Sequence, residues 1–277
     1  MDRMCGWPGL IVLLTLAMAL SVHAGSNYIT QSLPASNSSS AGMHYYEEGR
    51  QVNGHDTHAY YVWVDNPANH FRVLYPSPRD DPSLCQGYLK PSLMAQEQNC
   101  LFATNGGPFT MYQLPGNPTC LGNIVSDGNV VQAQNTTNAN FGITTDGKYV
   151  MGEMDDSDVQ TLPLEQLVTG FGWLVREGVN KVTSTGGEIA PRTAIGTDKQ
   201  GRLLLFVCNG VEKQDIGLTM AQLSSWLLDL NVYSAVNLDG GGSSVAVLNG
   251  TIVNHPTCSD TVKECERWVT TMTCIMA

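Results

Sequence analysis

Short apolar runs separated by polar turns recur along the chain and predict β-strands. Asp146-Gly147 and Asn249-Gly250 separate neighbouring apolar runs, and such dipeptides favour the tight turns of β-hairpins. The pattern therefore predicts strands paired through short hairpins. The clearest runs are AYYVWV (59–64), FRVLY (71–75), LFATN (101–105), TAIGT (193–197), RLLLFV (202–207) and VAVL (245–248).

Helical periodicity is confined to a few segments. Residues 219–230 (TMAQLSSWLLDL) place apolar side chains on one helical face, and Thr219 with Gln222 has the spacing of a capping box. Weaker patterns predict helices near 92–98 and 162–169. Few helices among many hairpins, without a regular βαβ alternation, predict an α+β fold with mixed or antiparallel sheets in one compact domain.

The N-terminal residues differ in composition from the rest of the chain. Arg3 precedes a short apolar run, and small residues favour cleavage after Ala24, so residues 1–24 are predicted to be a secretory signal peptide. The Ser- and Asn-rich residues that follow predict a partly disordered lead over 25–57, before a folded domain over 58–277. No later segment is apolar enough to predict a membrane anchor.

The charge of the chain limits its partners. It has 25 acidic residues against 14 Lys and Arg, and a formal net charge of −11. Proteins that bind nucleic acids or anionic membranes present clusters of basic residues, and the sequence has no such cluster. A nucleic-acid partner is therefore not expected, and recognition of an anionic substrate would depend on individual arginines.

The cysteines predict a disulfide framework in an oxidising compartment. Seven remain once Cys5 leaves with the signal peptide, and Cys208, inside an apolar run, is predicted to be the free one. Cys258 and Cys265 are close enough in sequence to form a local loop. The chain has no C-x-x-C pair and no histidines at ligand spacing, so neither a metal nor a cofactor is expected. N-glycosylation is predicted at Asn37, Asn135 and Asn249.

Two predicted strands end in glycine-rich loops. The first loop is Thr104-Asn105-Gly106-Gly107, and the second, residues 237–243, has the sequence NLDGGGS with Asp239 before three glycines. Glycines allow a backbone to approach a ligand, and successive N–H groups can bind an anion. Tight turns are the structural alternative. The spacing matches neither a P-loop nor a G-x-S-x-G nucleophile elbow.

The loops and their flanking strands resemble the phosphodiester glycosidase family. The resemblance covers about residues 58–276 and implies that 58–277 is a catalytic domain. It also implies disulfides Cys85–Cys120 and Cys100–Cys274. The segments that carry it are ATNGG (103–107), CLGNIVSDG (120–128), FGITTDGKYVMG (141–152), PRTAIGTDKQGRLLLF (191–206) and NLDGGGSSVAVLNGTIVN (237–254).

The resemblance implies a hydrolase of the secretory pathway, in the Golgi lumen or secreted. It would remove α-linked N-acetylglucosamine from GlcNAc-phosphomannose diesters on glycoproteins and expose mannose 6-phosphate for lysosomal sorting. Its partners would be phosphorylated high-mannose glycans. Whether the chain forms a homo-oligomer stays open. Because the departing phosphate is already a stable anion, one carboxylate would suffice at the anomeric carbon, and we assign this role to Asp239.

The remaining site residues follow from the charge of that substrate. Arg192 and Arg267 are expected to bind the phosphate, Arg192 through both prongs of its guanidinium. Asn105 is expected to act with Asp239 and Arg192 by binding sugar or phosphate through its amide. The other expected substrate-binding residues are Gly106, Gly107, Gly240, Gly241, Gly242, Ser243, Asn209 and Glu153.

Other functions remain open from the residues alone. A phosphodiester glycosidase acting on a different sugar would use the same loops. A secreted carbohydrate-binding protein without activity would need aromatic platforms, and the tryptophans show no clustering in loops. A phosphodiesterase that cuts P–O bonds would need a metal cluster or a Ser-His pair, and the required spacings are absent from the sequence.

Overall fold

The computed structural model describes residues 27–35, 38–76, 85–110, 118–258 and 265–277. The predicted signal peptide and the predicted glycosylation site Asn37 lie outside these ranges. None of the described helices has the length and apolar content needed to cross a membrane.

Strands account for most of the regular structure. In chain order the first nine are β1 (Tyr28–Ser32), β2 (Met43–Val52), β3 (His55–Val64), β4 (Phe71–Leu74), β5 (Cys100–Asn105), β6 (Ile124–Ser126), β7 (Asn129–Gln132), β8 (Ala139–Thr144) and β9 (Lys148–Glu153). The others are β10 (Leu164–Thr169), β11 (Gly172–Arg176), β12 (Val179–Asn180), β13 (Arg192–Asp198), β14 (Leu203–Cys208), β15 (Val232–Asn237), β16 (Ala246–Leu248), β17 (Thr251–Ile252) and β18 (Met272–Met276).

The strands form three sheets, and every strand pairing among the described residues is antiparallel. Seven strands form one sheet in the order β12-β11-β15-β13-β14-β3-β2. A six-stranded sheet has the order β1-β9-β8-β10-β6-β7, and a five-stranded sheet has the order β17-β16-β5-β18-β4. The sheets are thus antiparallel rather than mixed, and with so few helices the label α+β is only approximate.

The central strands of the seven-stranded sheet are buried on both faces. On one face Val62 and Leu205 join a core shared with the other two sheets, which contribute Phe102 and Phe141. On the other face Phe206 packs in a second core beneath a helix. Burial on both faces explains why β14 is a continuous apolar run rather than an alternating one.

Three α-helices are described: α1 (Pro91–Glu97), α2 (Asp156–Thr161) and α3 (Met220–Asp229). Helix α3 covers the seven-stranded sheet, and the predicted capping box between Thr219 and Gln222 is confirmed. The prediction of a helix near 162–169 is wrong. Pro163 cannot continue a helix, so α2 ends before it, and the β-branched residues Val168 and Thr169 lie in β10 between two other strands.

The segment 25–57, predicted to be a partly disordered lead, contains two strands among the residues that are described. Strand β1 pairs with β9, and β2 pairs with β3 along its whole length. Polar composition concealed the period-two pattern of β2, in which Met43 and Tyr45 pack against the shared core. The folded domain therefore includes the described residues before 58.

Three disulfide bonds connect the described chain, as expected. Cys258–Cys265 closes a local loop, while Cys85–Cys120 and Cys100–Cys274 agree with the family resemblance. Cys208 is free and buried at the end of β14. Burial raises the pKa of its thiol to about 12, so the thiol is neutral at physiological pH.

Candidate active site

Several loops meet at one end of the central strands of the seven-stranded sheet. Because β13 is antiparallel to its neighbours, its first residues lie beside their last residues: Arg192 pairs with Cys208, and Ala194 pairs with Asn237. The loops before β13, after β14 and after β15 therefore open into one cavity of about 380 Å³. The cavity is lined by Phe171, Glu188, Ala190, Arg192, Glu212, Met220, Asn237, Asp239, Gly240, Gly241 and Arg267.

Asp239 follows β15 and is held firmly in the cavity wall. Its backbone N–H donates to the carbonyl of Gly106 at 3.0 Å, which ties its loop to the end of β5. Its Oδ1 accepts from the Gly240 N–H at 3.1 Å, and its Oδ2 accepts from the Ser243 hydroxyl at 2.6 Å. Both carboxylate oxygens are therefore oriented before any ligand is bound. Asp239 caps its own turn, as the structural alternative predicted, and it also lines the cavity.

The Ser243 hydroxyl connects Asp239 to Arg267. Arg267 Nη1 donates to Ser243 Oγ at 3.0 Å, and the same hydroxyl donates to Asp239. The preceding residue, Glu266, accepts from the backbone N–H of Ser92 at 2.6 Å and from its hydroxyl at 2.7 Å. The start of α1 thus anchors the segment that brings Arg267 to the cavity. Ser243 itself does not line the cavity, so its hydroxyl acts through its neighbours.

Arg192 is clamped by the backbone beside Asp239. Its Nε donates to the carbonyl of Leu218 at 3.0 Å, and its Nη2 donates to the carbonyl of Glu188. Within the described ranges, Nη1 makes no hydrogen bond to the protein. Burial lowers the pKa of the guanidinium below its ordinary value, although arginine stays charged at neutral pH. Nε and one hydrogen of Nη2 are used by carbonyls, which leaves both hydrogens of Nη1 and the second hydrogen of Nη2 for a ligand, so the two-pronged grip on phosphate stays a prediction.

The glycine loop after Asp239 does not form the expected anion-binding nest. The N–H of Gly240 donates to Asp239, that of Gly241 to the Pro191 carbonyl at 2.9 Å, and that of Ser243 to the Gly240 carbonyl at 3.1 Å. These donors are already used in shaping the loop. Gly240 and Gly241 line the cavity, whereas Gly242 does not.

The first glycine loop supports the site from behind. Asn105 has no exposed surface, and its Nδ2 donates to the backbone carbonyl of Asp239 at 2.6 Å. Its Oδ1 accepts from the Thr193 hydroxyl at 2.8 Å. Asn105 is therefore a positioning residue and not the ligand-binding residue that we expected, because its amide is already paired inside the protein.

Gly106 and Gly107 likewise have a packing role. A Cβ on Gly106 would lie 2.5 Å from Thr271 Oγ1, and a Cβ on Gly107 would lie 2.0 Å from the carbonyl oxygen of Thr169. Both glycines are buried and neither lines the cavity. The structure does not support their predicted contact with substrate, because the close approach that requires glycine is to other strands of the protein.

Two further expected residues lie away from the cavity. Asn209 accepts from the backbone N–H of His255 at 2.9 Å and lies near the Tyr60 hydroxyl. Glu153 ends β9 and accepts from Asn27. Neither is among the cavity residues, so the structure does not support their assignment to substrate binding.

Sequence analysis missed several residues that line the cavity. Glu212 begins a 3₁₀ turn after β14, and its carboxylate lies so close to Gly241 that a Cβ there would be 2.1 Å from Oε1. Phe171 lies between two glycines and is 45% exposed. Its two flanking glycines were the available signal for a loop aromatic, and Asn209-Gly210 marked the turn leading to Glu212. Glu188, Ala190, Met220 and Asn237 complete the set.

Two other predictions concern metals and glycans. Among the described residues, no group of three or more His, Cys, Asp or Glu side chains is placed to hold a metal ion. Asn135 and Asn249 are exposed, and Asn249 lies in the turn between β16 and β17. Glycosylation at both stays a prediction.

Comparison with known proteins gives concordant matches. A family model described as phosphodiester glycosidase matches residues 98–276. N-acetylglucosamine-1-phosphodiester alpha-N-acetylglucosaminidases from Mus musculus and Homo sapiens are 34% and 35% identical, over 82% of this chain and 46% of each relative. The chain thus spans about half the length of these curated relatives.

Solved structures extend the comparison to the fold. The zebrafish N-acetylglucosamine-1-phosphodiester alpha-N-acetylglucosaminidase catalytic domain, described as auto-inhibited by its pro-peptide, aligns with a TM-score of 0.78 and 31% identity. The alignment covers 91% of this chain and 89% of that one. A hypothetical protein from Synechocystis aligns with a TM-score of 0.59 at 14% identity, covering 84% and 62% of the two chains, which shows similarity of fold alone.

Proposed function

Because the chain belongs to the phosphodiester glycosidase family, we propose that it hydrolyses sugar-1-phosphodiesters at the anomeric carbon. The proposed substrate is α-linked N-acetylglucosamine on the phosphate of phosphorylated high-mannose glycans, and the product glycoprotein carries mannose 6-phosphate. The names of the mouse, human and zebrafish relatives support this choice of sugar. The observation that carries the proposal is one cavity lined by a fixed carboxylate, Asp239, and two arginines, Arg192 and Arg267.

The proposed reaction breaks the bond between the anomeric carbon and the phosphate oxygen. A water oxygen bonds to the anomeric carbon, and Asp239 accepts a proton from that water or stabilises positive charge on the sugar. The phosphomonoester leaves with the bonding electron pair. Since that group is a stable anion, it needs little help from a general acid.

The arginines are suited to hold the phosphate as its charge increases. Arg192 offers Nη1 from a guanidinium already fixed by two carbonyls, and Arg267 is oriented by Ser243. Donors fixed before the reaction need not reorganise when charge develops, which favours the transition state over the bound substrate.

The proposed location is the lumen of the secretory pathway, in the Golgi or beyond it. Three disulfide bonds are typical of proteins that mature in an oxidising compartment. We propose the Golgi in particular, because the proposed substrate is a glycoprotein of the secretory pathway.

The position of bond cleavage tests the reaction directly. We expect incubation of a GlcNAc-phosphate diester in heavy-oxygen water to release free N-acetylglucosamine that carries the heavy oxygen. Heavy oxygen in the phosphate, or release of GlcNAc-phosphate, would instead identify cleavage of a P–O bond. Absence of turnover on all sugar-phosphate diesters would favour a binding protein.

Two variants measured on two substrates test the division of roles. We expect Asp239→Asn to lower kcat/KM by at least about a thousandfold on both the diester and a neutral aryl α-N-acetylglucosaminide. Arg192→Lys should lower kcat/KM on the diester much more than on the aryl glycoside, which has no phosphate. Arg176→Lys, at a surface arginine outside the cavity, is the matched control. Equal losses on both substrates for Arg192→Lys would make Arg192 structural.

A further inference from the structure

Glu212 brings a second carboxylate to the loop that carries Asp239. It begins the 3₁₀ turn after β14, it is half-buried, and it lines the cavity. Its Oε1 lies so close to Gly241 that a Cβ there would be 2.1 Å away, and Gly241 is only two residues after Asp239. Two different loops, after β14 and after β15, therefore place carboxylates in the same cavity.

The two carboxylates differ in their hydrogen bonds. Both oxygens of Asp239 accept from the protein, one from the Gly240 N–H and the other from the Ser243 hydroxyl. Among the described residues, none donates a hydrogen bond to the carboxylate of Glu212. Its interaction with Arg192 is electrostatic: burial lowers the pKa of the guanidinium, and the negative charge of Glu212 is among those that oppose this shift.

This difference suits the two carboxylates to different roles. Hydrogen bonds donated to a carboxylate stabilise its ionised form, so a carboxylate with a donor on each oxygen takes up a proton less readily. Asp239 is accordingly suited to stay charged and to stabilise positive charge at the anomeric carbon. A carboxylate that lines the cavity without a donor from the protein can accept a hydrogen bond from water and then its proton.

Glu188 is the other glutamate of the cavity, and its placement is different. It is exposed in the segment before β13, and its backbone carbonyl accepts from Arg192 Nη2. The residues nearest to a Cβ on either cavity-lining glycine of the Asp239 loop are Pro191, Arg192 and Glu212. Of the two glutamates, Glu212 is therefore the one that lies against the catalytic loop.

We propose that Glu212 is the general base that activates the attacking water, while Asp239 stabilises positive charge on the sugar. As the water oxygen bonds to the anomeric carbon, one water proton passes to the Glu212 carboxylate. The bond between the anomeric carbon and the phosphate oxygen breaks, and its electron pair leaves with the phosphomonoester. Glu212 then releases the proton to solvent. Direct attack by water inverts the configuration, so the first product is β-N-acetylglucosamine.

The inference rests on the proposed function, and it separates the two roles that a single carboxylate at the anomeric carbon could have. A departing phosphate needs little help from an acid, but a water molecule still has to lose a proton as it attacks. Of the carboxylate pair used by ordinary inverting glycosidases, the base would thus be kept and the acid would be dispensable.

Chemical rescue by azide tests the role of Glu212. Azide is a nucleophile that carries no proton to remove, so it can replace the activated water once the carboxylate is absent. We expect Glu212→Ala to lower kcat/KM on a GlcNAc-phosphate diester by about 100-fold or more. Sodium azide should then raise turnover of this variant at least about tenfold, with β-glycosyl azide as the product identified by NMR. Glu212→Gln should lose similar activity without rescue, because its amide still fills the space.

Glu188→Ala is the matched control, because it also removes a carboxylate from the cavity. Azide should not stimulate its turnover or form a glycosyl azide with it. If Glu212 served only to orient Arg192, azide could not restore the activity of Glu212→Ala. Absence of glycosyl azide from Glu212→Ala, or equal stimulation of both alanine variants, would overturn the assignment.

The anomer released by the wild type gives a second test that needs no variant. NMR during the first turnovers should show β-N-acetylglucosamine before mutarotation, whereas the α anomer would indicate a covalent intermediate on Asp239 and overturn direct attack by water. The inference and the proposed function can also fail separately. Diester turnover without azide rescue removes the base and leaves the reaction. If the wild type hydrolyses no sugar-phosphate diester, the proposed function is wrong and the role of Glu212 fails with it.

Discussion

Replacing Gly241 with alanine should weaken both the fold and the activity of the site. Gly241 has a φ of 57°, in the left-handed region that disfavours a Cβ. A Cβ there would lie 2.1 Å from Oε1 of Glu212, which lines the same cavity. Gly240 is the natural comparison, because its φ is −116° and its Cβ would come no closer than 3.0 Å to the Pro191 carbonyl oxygen.

The two effects of Gly241→Ala have different physical causes. The left-handed conformation costs a residue with a Cβ about 1–2 kcal/mol, which should appear as a loss of unfolding free energy. The contact with Glu212 can be relieved by rotation of that flexible side chain, so it should add little to the loss of stability. Rotation nevertheless moves a carboxylate within the cavity. We therefore expect kcat/KM on the GlcNAc-phosphate diester to fall by at least about tenfold.

Denaturant unfolding and diester hydrolysis should be measured on Gly241→Ala, Gly240→Ala and the double variant Gly241→Ala/Glu212→Ala. In the double variant the contact is removed, so only the backbone strain should remain in the unfolding free energy. Gly240→Ala should lose less unfolding free energy than Gly241→Ala, because its φ is ordinary and its Cβ would meet only the Pro191 carbonyl oxygen, at 3.0 Å. The reasoning fails if Gly241→Ala is as stable and as active as the wild type. It also fails if Gly241→Ala and Gly240→Ala lose the same unfolding free energy and the same activity.

The remaining predictions concern the cysteines. Removing the Cys100–Cys274 bridge in a double alanine variant should lower the unfolding free energy by up to about 5 kcal/mol, because the bridge closes a separation of 174 residues; denaturant unfolding that shows no loss would contradict this. Iodoacetamide at pH 8 should modify Cys208 only after unfolding, because burial raises its pKa to about 12. Since the folded pKa exceeds the ordinary value of 9.0, the stabilising contribution of this thiol is complete below that pH and declines as pH rises towards 12. Rapid labelling of the folded protein would contradict the burial of Cys208.

Local patterns in the sequence were sufficient for many of the elements. The apolar run 202–207 was recognisable as a strand because both of its faces are buried, and α3 was recognisable from its period and capping box. Segment 162–169 misled because its spacing of apolar residues also suits a helix, whereas its partners in the sheet are remote in sequence. Strand order and the pairing of β2 with β3 likewise depend on contacts between segments, which periodicity does not record.

Some residues of the candidate site were likewise predictable from the sequence, and others were not. Asp239 was recognisable from the glycine loop that follows it, Arg192 from a segment that resembles the family, and Arg267 from the charge of the expected substrate. Glu212 and Asn237 were not assigned to the site, although Asn237 is the first residue of the second glycine loop and Glu212 lies shortly after Asn209. Their relevance depends on the antiparallel register that places the end of β15 beside the start of β13. No property of either residue alone marks it as part of a cavity.

The recognisable glycine motifs mainly encode the shape of the site rather than its choice of sugar. Positions 106 and 107 require glycine because neighbouring strands leave no room for a Cβ. Asn105 holds the backbone of Asp239 through a hydrogen bond. Such requirements are the same for any ligand that the cavity holds. A motif of this kind therefore identifies the family and the position of its carboxylate far more securely than the sugar. Discrimination between sugars must reside in the side chains that line the cavity, and in the described chain these include Phe171, Glu188 and Glu212.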